Sequence, residues 1–263
     1  MGVEMKIILL NIINYFKVVT THKIDFSLTI TNLILKQIVN FSFIYIVFYS
    51  IPKLGDWSVY QLIYLQGLFA INKGISDLIL DGLLNIENIV QTGKLDGYLL
   101  RPFSVLLQII SEQIDLTQIT NIIMGTLLII ISTTNLEIDF QLLDGFIFIF
   151  FLLCSIAVIF SIRLIIISFV FWTQTSFPIA IAVENISDFG RYPSTIYNRV
   201  TSFVLTYVVP YSIIAFLPSA IILNKINVGY ALLMKVIIIT AILLFASLRV
   251  WKKGLKNYTS SGH

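Results

Sequence analysis

Cysteine, histidine and charge are the scarce commodities in this chain of 263 residues. A single cysteine, Cys154, permits neither an internal disulfide nor a cysteine-clustered zinc site, and it reads as a small core residue. The two histidines, His22 and His263, lie near the ends. They cannot build a His-rich catalytic centre, and no Ser/His or paired-Asp constellation replaces one, which excludes the common intramembrane enzymes. His22 reads as a surface residue. Only 12% of residues are charged, whereas 57% are apolar and the mean hydropathy is +0.93. The surface of a soluble domain carries roughly a quarter to a third charged residues, so the solvent for most of this chain is lipid. The net charge of +3 is too small to indicate nucleic acid. No Gly-x-x-x-x-Gly-Lys-Ser/Thr loop occurs, so the chain has no phosphate cradle of its own. Internal repeats, low-complexity tracts and long linkers are also missing, and residues 1–263 read as one membrane domain. The first apolar run, Ile7 to Leu10, is too short for a cleavable signal.

What is present is apolar sequence in long runs. A hydrocarbon core about 30 Å thick is crossed by roughly 20 helical residues. Candidate runs are Phe26 to Pro52, broken by Lys36; Trp57 to Ser76, broken by Lys73; Leu116 to Leu136; Gly145 to Ile162; Leu164 to Val183; Val200 to Asn224; and Ile226 to Leu248, broken by Lys235. They lack the strict alternation of barrel strands, so an all-α polytopic membrane protein is expected. Lys6, Lys17 and Lys23 precede the first run, and Arg249, Lys252, Lys253 and Lys256 follow the last. The positive-inside rule then puts both ends in the cytoplasm. Two cytoplasmic ends require an even number of crossings. Six are expected, with Val200 to Asn224 re-entering rather than crossing because Pro210 and Pro218 interrupt it and Pro193 precedes it. Arg163 then marks a tight internal turn between two spans. A competing topology fuses Gly145 to Trp172 into one helix, puts Arg191 and Arg199 inside and lets Val200 to Asn224 cross.

Three features flank the spans. Met5 to Val19 carries Ile8, Leu9, Ile12, Ile13 and Phe16 on one helical face and Lys6, Asn11, Asn14 and Lys17 on the other, the pattern of an interfacial helix. Asp81 to Gln91 reads as a short amphipathic helix stopped by Gly93 in a left-handed cap. Gly93 to Pro102 reads as an ordered turn that Asp96 and Arg101 are placed to hold, with Ser104 capping a second helix. Arg191, Tyr192, Pro193, Tyr197, Arg199, Pro210 and Pro218 form a proline-spaced aromatic segment, suited to headgroup anchoring or to gating.

The run Gly93-x-Leu95-Asp96-x-x-Leu99-Leu100-Arg101-Pro102 resembles permease subunits of ATP-binding-cassette exporters of the type-2 superfamily, in particular small six-helix bacterial permeases that occur in pairs. Phe171-Trp172, Tyr192-Pro193-x-x-Ile196-Tyr197, Val209-Pro210, Leu217-Pro218 and Trp251-x-x-Gly254-Leu255-x-x-Tyr258-x-Ser260 extend the resemblance over nearly the whole chain. It implies an N-terminal interfacial helix, a cytoplasmic coupling helix between spans two and three, and an outer re-entrant hairpin before span six. It further implies a bacterial cell-membrane location, a separate ATPase dimer that binds ATP and Mg, and a second permease chain, identical or different, while this chain holds no cofactor. The coupling element would comprise Glu87, Gly93, Lys94, Leu95, Asp96, Arg101 and Pro102. A translocation or gating path would draw on Lys36, Tyr192, Pro193, Tyr197, Pro210 and Pro218.

The ionisable residues inside the runs are costly there, about 2.5 to 3.5 kcal/mol each near mid-bilayer. Lys36 and Lys235 lie about ten residues inside their runs and either pair, line a path or snorkel. Glu184 and Asp188, one helical turn apart, could hold a cation or a proton, or simply lie at the interface. A secondary transporter or channel is the alternative reading; the inverted repeats and paired mid-membrane acids that would favour it are not seen.

Overall fold

The computed structural model describes residues 56–138 and 141–259, together with isolated helical positions between Ile24 and Ile46. Lys36, the Met5 to Val19 helix, His22 and His263 lie outside the described residues. Every regular element described is helical.

The first, α1 (Val59–Leu80), opens on a reciprocal cap. Gln61 N–H donates to Ser58 Oγ at 3.4 Å and Ser58 N–H to Gln61 Oε1 at 3.0 Å, satisfying two of the orphan amides at the helix start. A 3-10 turn, Asp81–Asn85, leads into the short helices α2 (Ile86–Gln91), α3 (Lys94–Leu99) and α4 (Val105–Glu112). The long α5 (Ile119–Leu136) follows, and then α6 (Leu142–Ser168), with one further turn, α7 (Val170–Thr173). Gln174, at φ 60°, breaks the chain before α8 (Phe177–Ser187), which has Pro178 in its first turn. After irregular chain come α9 (Arg199–Phe203), a π turn over Val204–Val208, α10 (Phe216–Ile222) and the last helix, α11 (Tyr230–Asn257).

Among the described residues, three helical stretches are long and apolar enough to cross a bilayer, namely Leu116–Leu136, Leu142–Thr173 and Tyr230–Asn257. The segments Arg199–Val208 and Tyr211–Ile222 together make a fourth if they count as one broken span. At ~1.5 Å per residue α1 is about 33 Å long, but Gln61, Gln66, Asn72 and Lys73 dilute its apolar character. The turn expected at Arg163 does not exist: α6 runs straight through it, as in the competing topology, so 145–162 and 164–183 are not two crossings. The reason is electrostatic. Arg163 is not at an aqueous surface but is met by carboxylates from two other helices, described below.

α1 and α5 pack with their backbones nearly touching. A Cβ on Gly67 would stand 2.8 Å from the carbonyl oxygen of Gly125, and one on Gly125 would stand 2.7 Å from that of Gly67. Such mutual glycines let helices associate by close contact where lipid removes the hydrophobic drive between them. Ser132 Oγ adds a 2.6 Å hydrogen bond to the carbonyl of Tyr60. α11 lies on α6 and α7, burying Val236, Thr240, Ser247, Trp251 and Gly254. Among the described residues its other side stands open, with only 11% of its most apolar stretch buried. The apolar side chains Leu142, Phe146, Leu153, Ile242 and Phe245 stand outward, as lipid-facing residues do.

The ends of the helices sort into two groups. Lys225 Nζ donates to the Asp56 carbonyl at 2.6 Å and lies 4.9 Å from the centre of the Trp57 ring, joining the starts of α1 and α11. At the opposite end, Val90 and Gln91 share a cleft with Phe171, Gln174, Tyr258 and Thr259.

Between these ends the chain of α9 to α10 bends by 78° at Pro210. The bend frees backbone carbonyls, and side chains from the neighbouring helices claim them. Asn72 Nδ2 of α1 donates to the carbonyl of Ile214, while Ser155 Oγ of α6, which donates to the Phe151 carbonyl at 2.6 Å, lies 3.4 Å from that of Ile213. Broken helices survive at membrane depth only when neighbours re-satisfy the backbone in this way. Pro218 sits in the first turn of α10, where the missing N–H costs little.

Candidate functional site

The segment 81–102 folds as a compact helical unit. Leu83, Ile86 and Leu95 are completely buried, and Gly82 lies so close to α4 that a Cβ there would stand 2.5 Å from the carbonyl of Ile109. Gly93 has φ 69° and ψ 4°, the left-handed stop expected from its sequence position. The expected turn beyond it is instead the one-and-a-half-turn helix α3, because Leu95 and Tyr98 form an apolar pair three residues apart that packs inward.

Polar side chains lock this unit. Tyr98 OH donates to the Glu112 carboxylate, while Gln108 Nε2 donates at 3.1 Å to the carbonyls of both Tyr98 and Phe103. Burial and the Glu112 carboxylate push the Tyr98 phenol up, so it stays a donor. Arg101 Nη1 donates to Gln108 Oε1 at 3.3 Å, and its guanidinium lies 5.4 Å from the Tyr98 ring centre. Ser104 takes the cap position of α4 but makes no side-chain cap bond. Lys94, Leu99, Leu100, Arg101 and Pro102 are exposed, Leu100 at 87% of its full area. An apolar and basic tip therefore stands out from a rigid base.

Glu87 faces the other way. Its Oε2 accepts from the backbone amides of Ser176 at 2.6 Å and Phe177 at 2.7 Å, capping the start of α8 with a negative charge. Gln91 Nε2 reinforces the joint with a 3.1 Å bond to the carbonyl of Gln174. α2 is thus bolted to the break between α7 and α8. Asp81, at the base of the unit, accepts from Gln113 Nε2 at 2.9 Å. Burial first, then the neighbouring Asp115 carboxylate, push its pKa up to about 6, against the pull of Arg163 and the Gln113 bond.

One helical turn above Asp81, four charges converge from three helices. Lys73 and Asp77 come from α1, Arg163 from α6 and Glu184 from α8. Lys73 Nζ lies 3.1 Å from Asp77 Oδ1 and also pairs with Glu184. Arg163 reaches Asp77 Oδ1 through Nη2 at 2.5 Å and Glu184 Oε1 through Nε at 2.7 Å. The quartet is neutral, and Arg163 is only 5% exposed. Its Nη1 has no partner among the described residues. Sequence reasoning missed this cluster as a unit. The signals were there: Lys73 and Asp77 stand at i and i+4, and Arg163 interrupts an otherwise apolar run.

Glu184 and Asp188, read from the sequence either as a joint cation or proton site or as interfacial residues, take separate partners. Asp188 instead accepts from Arg191, at 2.9 Å from Nε, and Arg191 lies 4.8 Å from the Phe69 ring centre. No cluster of three metal-ligating side chains occurs among the described residues. Of the expected path residues, Pro193 and Pro218 are buried and Tyr192 and Tyr197 are half-buried. Tyr197 OH donates to the Phe189 carbonyl at 3.0 Å, and Pro210 forms the bend. Lys235 lies one and a half turns into α11, which begins at Tyr230, so it is nearer a helix end than its run suggested.

Long lipid-facing helices, a charge cluster compensated inside the bundle and a broken helix satisfied by its neighbours define an all-α integral membrane protein. The sequence model for the family described as ABC-2 family transporter protein matches residues 34–262, and the chain belongs to that family as an ABC-2 type permease. Neither the curated proteins nor the solved structures include a match. Membership implies partnership with an ABC ATPase.

Proposed function

We propose that this chain is the permease subunit of an exporter in a bacterial cell membrane, driven by an ATPase dimer that binds ATP and Mg, with the path formed jointly with a second permease chain. The observation that carries the reading is the 81–102 unit. It is rigid at its base, exposed at Leu99 to Pro102, and fastened through Glu87 to the start of α8. Movement imposed on its tip by an ATPase reaches α1, α4 and α8 together, and a turn further in the Lys73, Asp77, Arg163 and Glu184 quartet ties α1 and α8 to α6. In this reading both chain ends are cytoplasmic and six helices cross. Phe177 to Ile222 supplies the fifth crossing and its outer re-entrant part, with the Lys225 end outside. The Met5 to Val19 helix lies in the inner headgroup plane. No metal or nucleotide site is assigned to this chain.

The test is ATP hydrolysis by the ATPase in vesicles with and without the permease. Gly93→Val forces a β-branched residue into left-handed backbone at about 1 to 2 kcal/mol. It should lower stimulated hydrolysis several-fold at equal membrane abundance, as should Leu100→Asp at the tip. Stimulation and cargo movement equal to the parent in both variants would remove the coupling assignment.

A further inference from the structure

The last helix carries a basic surface that no described residue pairs with. Arg249, Lys252, Lys253 and Lys256 are all exposed, and no acidic residue occurs anywhere in α11. None of the four forms an ion pair or donates a hydrogen bond to a described residue. Arg249 alone has a neighbour, the Phe245 ring, whose centre is 4.6 Å from the guanidinium carbon. With Leu255 these cations line an open groove of about 620 Å³.

The position of this groove on the helix says what fits it. At about 3.6 residues per turn, Ile238, Ile242 and Phe245 fall on the same arc as the four cations, and all three are exposed. The buried face of α11, with Val236, Thr240, Ser247, Trp251 and Gly254, is on the opposite side. One uninterrupted stripe therefore runs from apolar to basic along the exposed side. From Ile238 to Arg249 it rises about 16 Å at ~1.5 Å per residue, about half of a hydrocarbon core roughly 30 Å thick. The whole helix is about 42 Å long, so about 12 Å of it extends beyond the core. That excess matches Arg249–Asn257. On the opposite, buried face at this level, Trp251 packs edge-on against Phe171 at 5.2 Å and holds this end of α11 on the bundle.

We propose that this stripe is a binding site for an anionic phospholipid, its phosphate held by Arg249, Lys252, Lys253 and Lys256 and one acyl chain lying along Ile238, Ile242 and Phe245. The occupant must bring both an anionic head and an apolar tail of one leaflet's length, because the cations and the apolar stripe share one face. A soluble acidic partner satisfies only the first requirement. Juxtamembrane basic residues are drawn to an anionic membrane surface; here three lysines and an arginine are gathered around one groove. The inference rests on the chain's crossing the bilayer and is independent of ATPase coupling and cargo.

The experiment is native mass spectrometry of the full-length chain, purified in detergent without its ATPase and titrated with phosphatidylglycerol or phosphatidylcholine of equal chain length. The parent should hold phosphatidylglycerol at least tenfold more tightly than phosphatidylcholine. Replacing all four cations by glutamine should abolish that preference, whereas Lys252→Arg with Lys253→Arg and Lys256→Arg should keep it, which separates charge from folding. Equal retention of the two lipids, or a preference that survives in the glutamine variant, overturns the site. Displacement of phosphatidylglycerol by millimolar inorganic phosphate also overturns it, since the groove then reads phosphate and not lipid. So does a glutamine variant that keeps the lipid preference and loses the ATPase on co-purification, which would make the patch a protein contact. No ATP or cargo enters the measurement, so its failure leaves the exporter reading standing, and failure of ATPase coupling leaves the lipid site standing.

Discussion

Arg163 shows how a charge is kept inside an apolar helix. Taking a guanidinium out of water is expensive, and the attraction of Asp77 and Glu184 offsets the cost only because both carboxylates arrive with hydrogen-bonding geometry. Removing one member of such a set is worse than removing an oppositely charged pair. Arg163→Met leaves two carboxylates facing a single lysine and should destabilise by about 3 to 5 kcal/mol. Arg163→Met combined with Glu184→Gln leaves the neutral Lys73 and Asp77 pair, at i and i+4, and should recover a large part of that loss. Thermal unfolding in one detergent, parent against the two variants, measures the difference. A double variant less stable than the single one would show that the quartet is not a charge-balanced unit.

At the scale of elements, the bend at Pro210 depends on Asn72 of α1 for a hydrogen bond to its backbone. Asn72→Leu leaves the Ile214 carbonyl buried without its donor, at about 1 to 3 kcal/mol. The expected result is a lower unfolding temperature together with faster proteolysis between α9 and α10, because the lost bond is the bend's own. The 81–102 unit carries a pH signature. Asp81 has a folded pKa of about 6 against an ordinary value of 3.8, so the folded state binds the extra proton between those limits. Stability through this group is greatest below about pH 4, where both states are protonated, and falls as pH rises to about 6. Asp81→Asn has no such proton to lose. The difference in unfolding temperature between Asp81→Asn and the parent should therefore grow in the variant's favour from pH 4 to pH 6.5 and then stay level; a constant difference would reject the assignment.

For the whole molecule, the decisive quantity is the side of the membrane on which each group of helix ends lies. One group joins Asp56 and Trp57 to Lys225; the other joins Gln91 and Gln174 to Tyr258. The four cations at the end of α11 belong to the second group, which the proposed topology puts in the cytoplasm in keeping with the positive-inside rule. Reporter fusions at Gly2 and at His263 should both report cytoplasm, and a cysteine at Lys225 should be labelled by an impermeant reagent from outside. An external reporter at either terminus would falsify the six-crossing topology.

The lipid solvent, the helical class, the run Leu116 to Leu136 to the residue, the left-handed stop at Gly93 and, through the Gly93 to Pro102 motif, the family were all legible in the chain before folding. These are properties of single residues or of one continuous stretch, and hydropathy, backbone sterics and local spacing act at that range. Tertiary structure alone decided that Arg163 continues a helix, that Glu184 leaves Asp188 for a lysine and an arginine, and that Glu87 caps α8. In each case the deciding partner is distant in the chain: Asp77 lies 86 positions from Arg163, and Phe177 lies 90 from Glu87. An isolated arginine in an apolar run is read as a boundary because water is the only partner the sequence shows for it. The folded bundle supplies two carboxylates instead, and the helix continues.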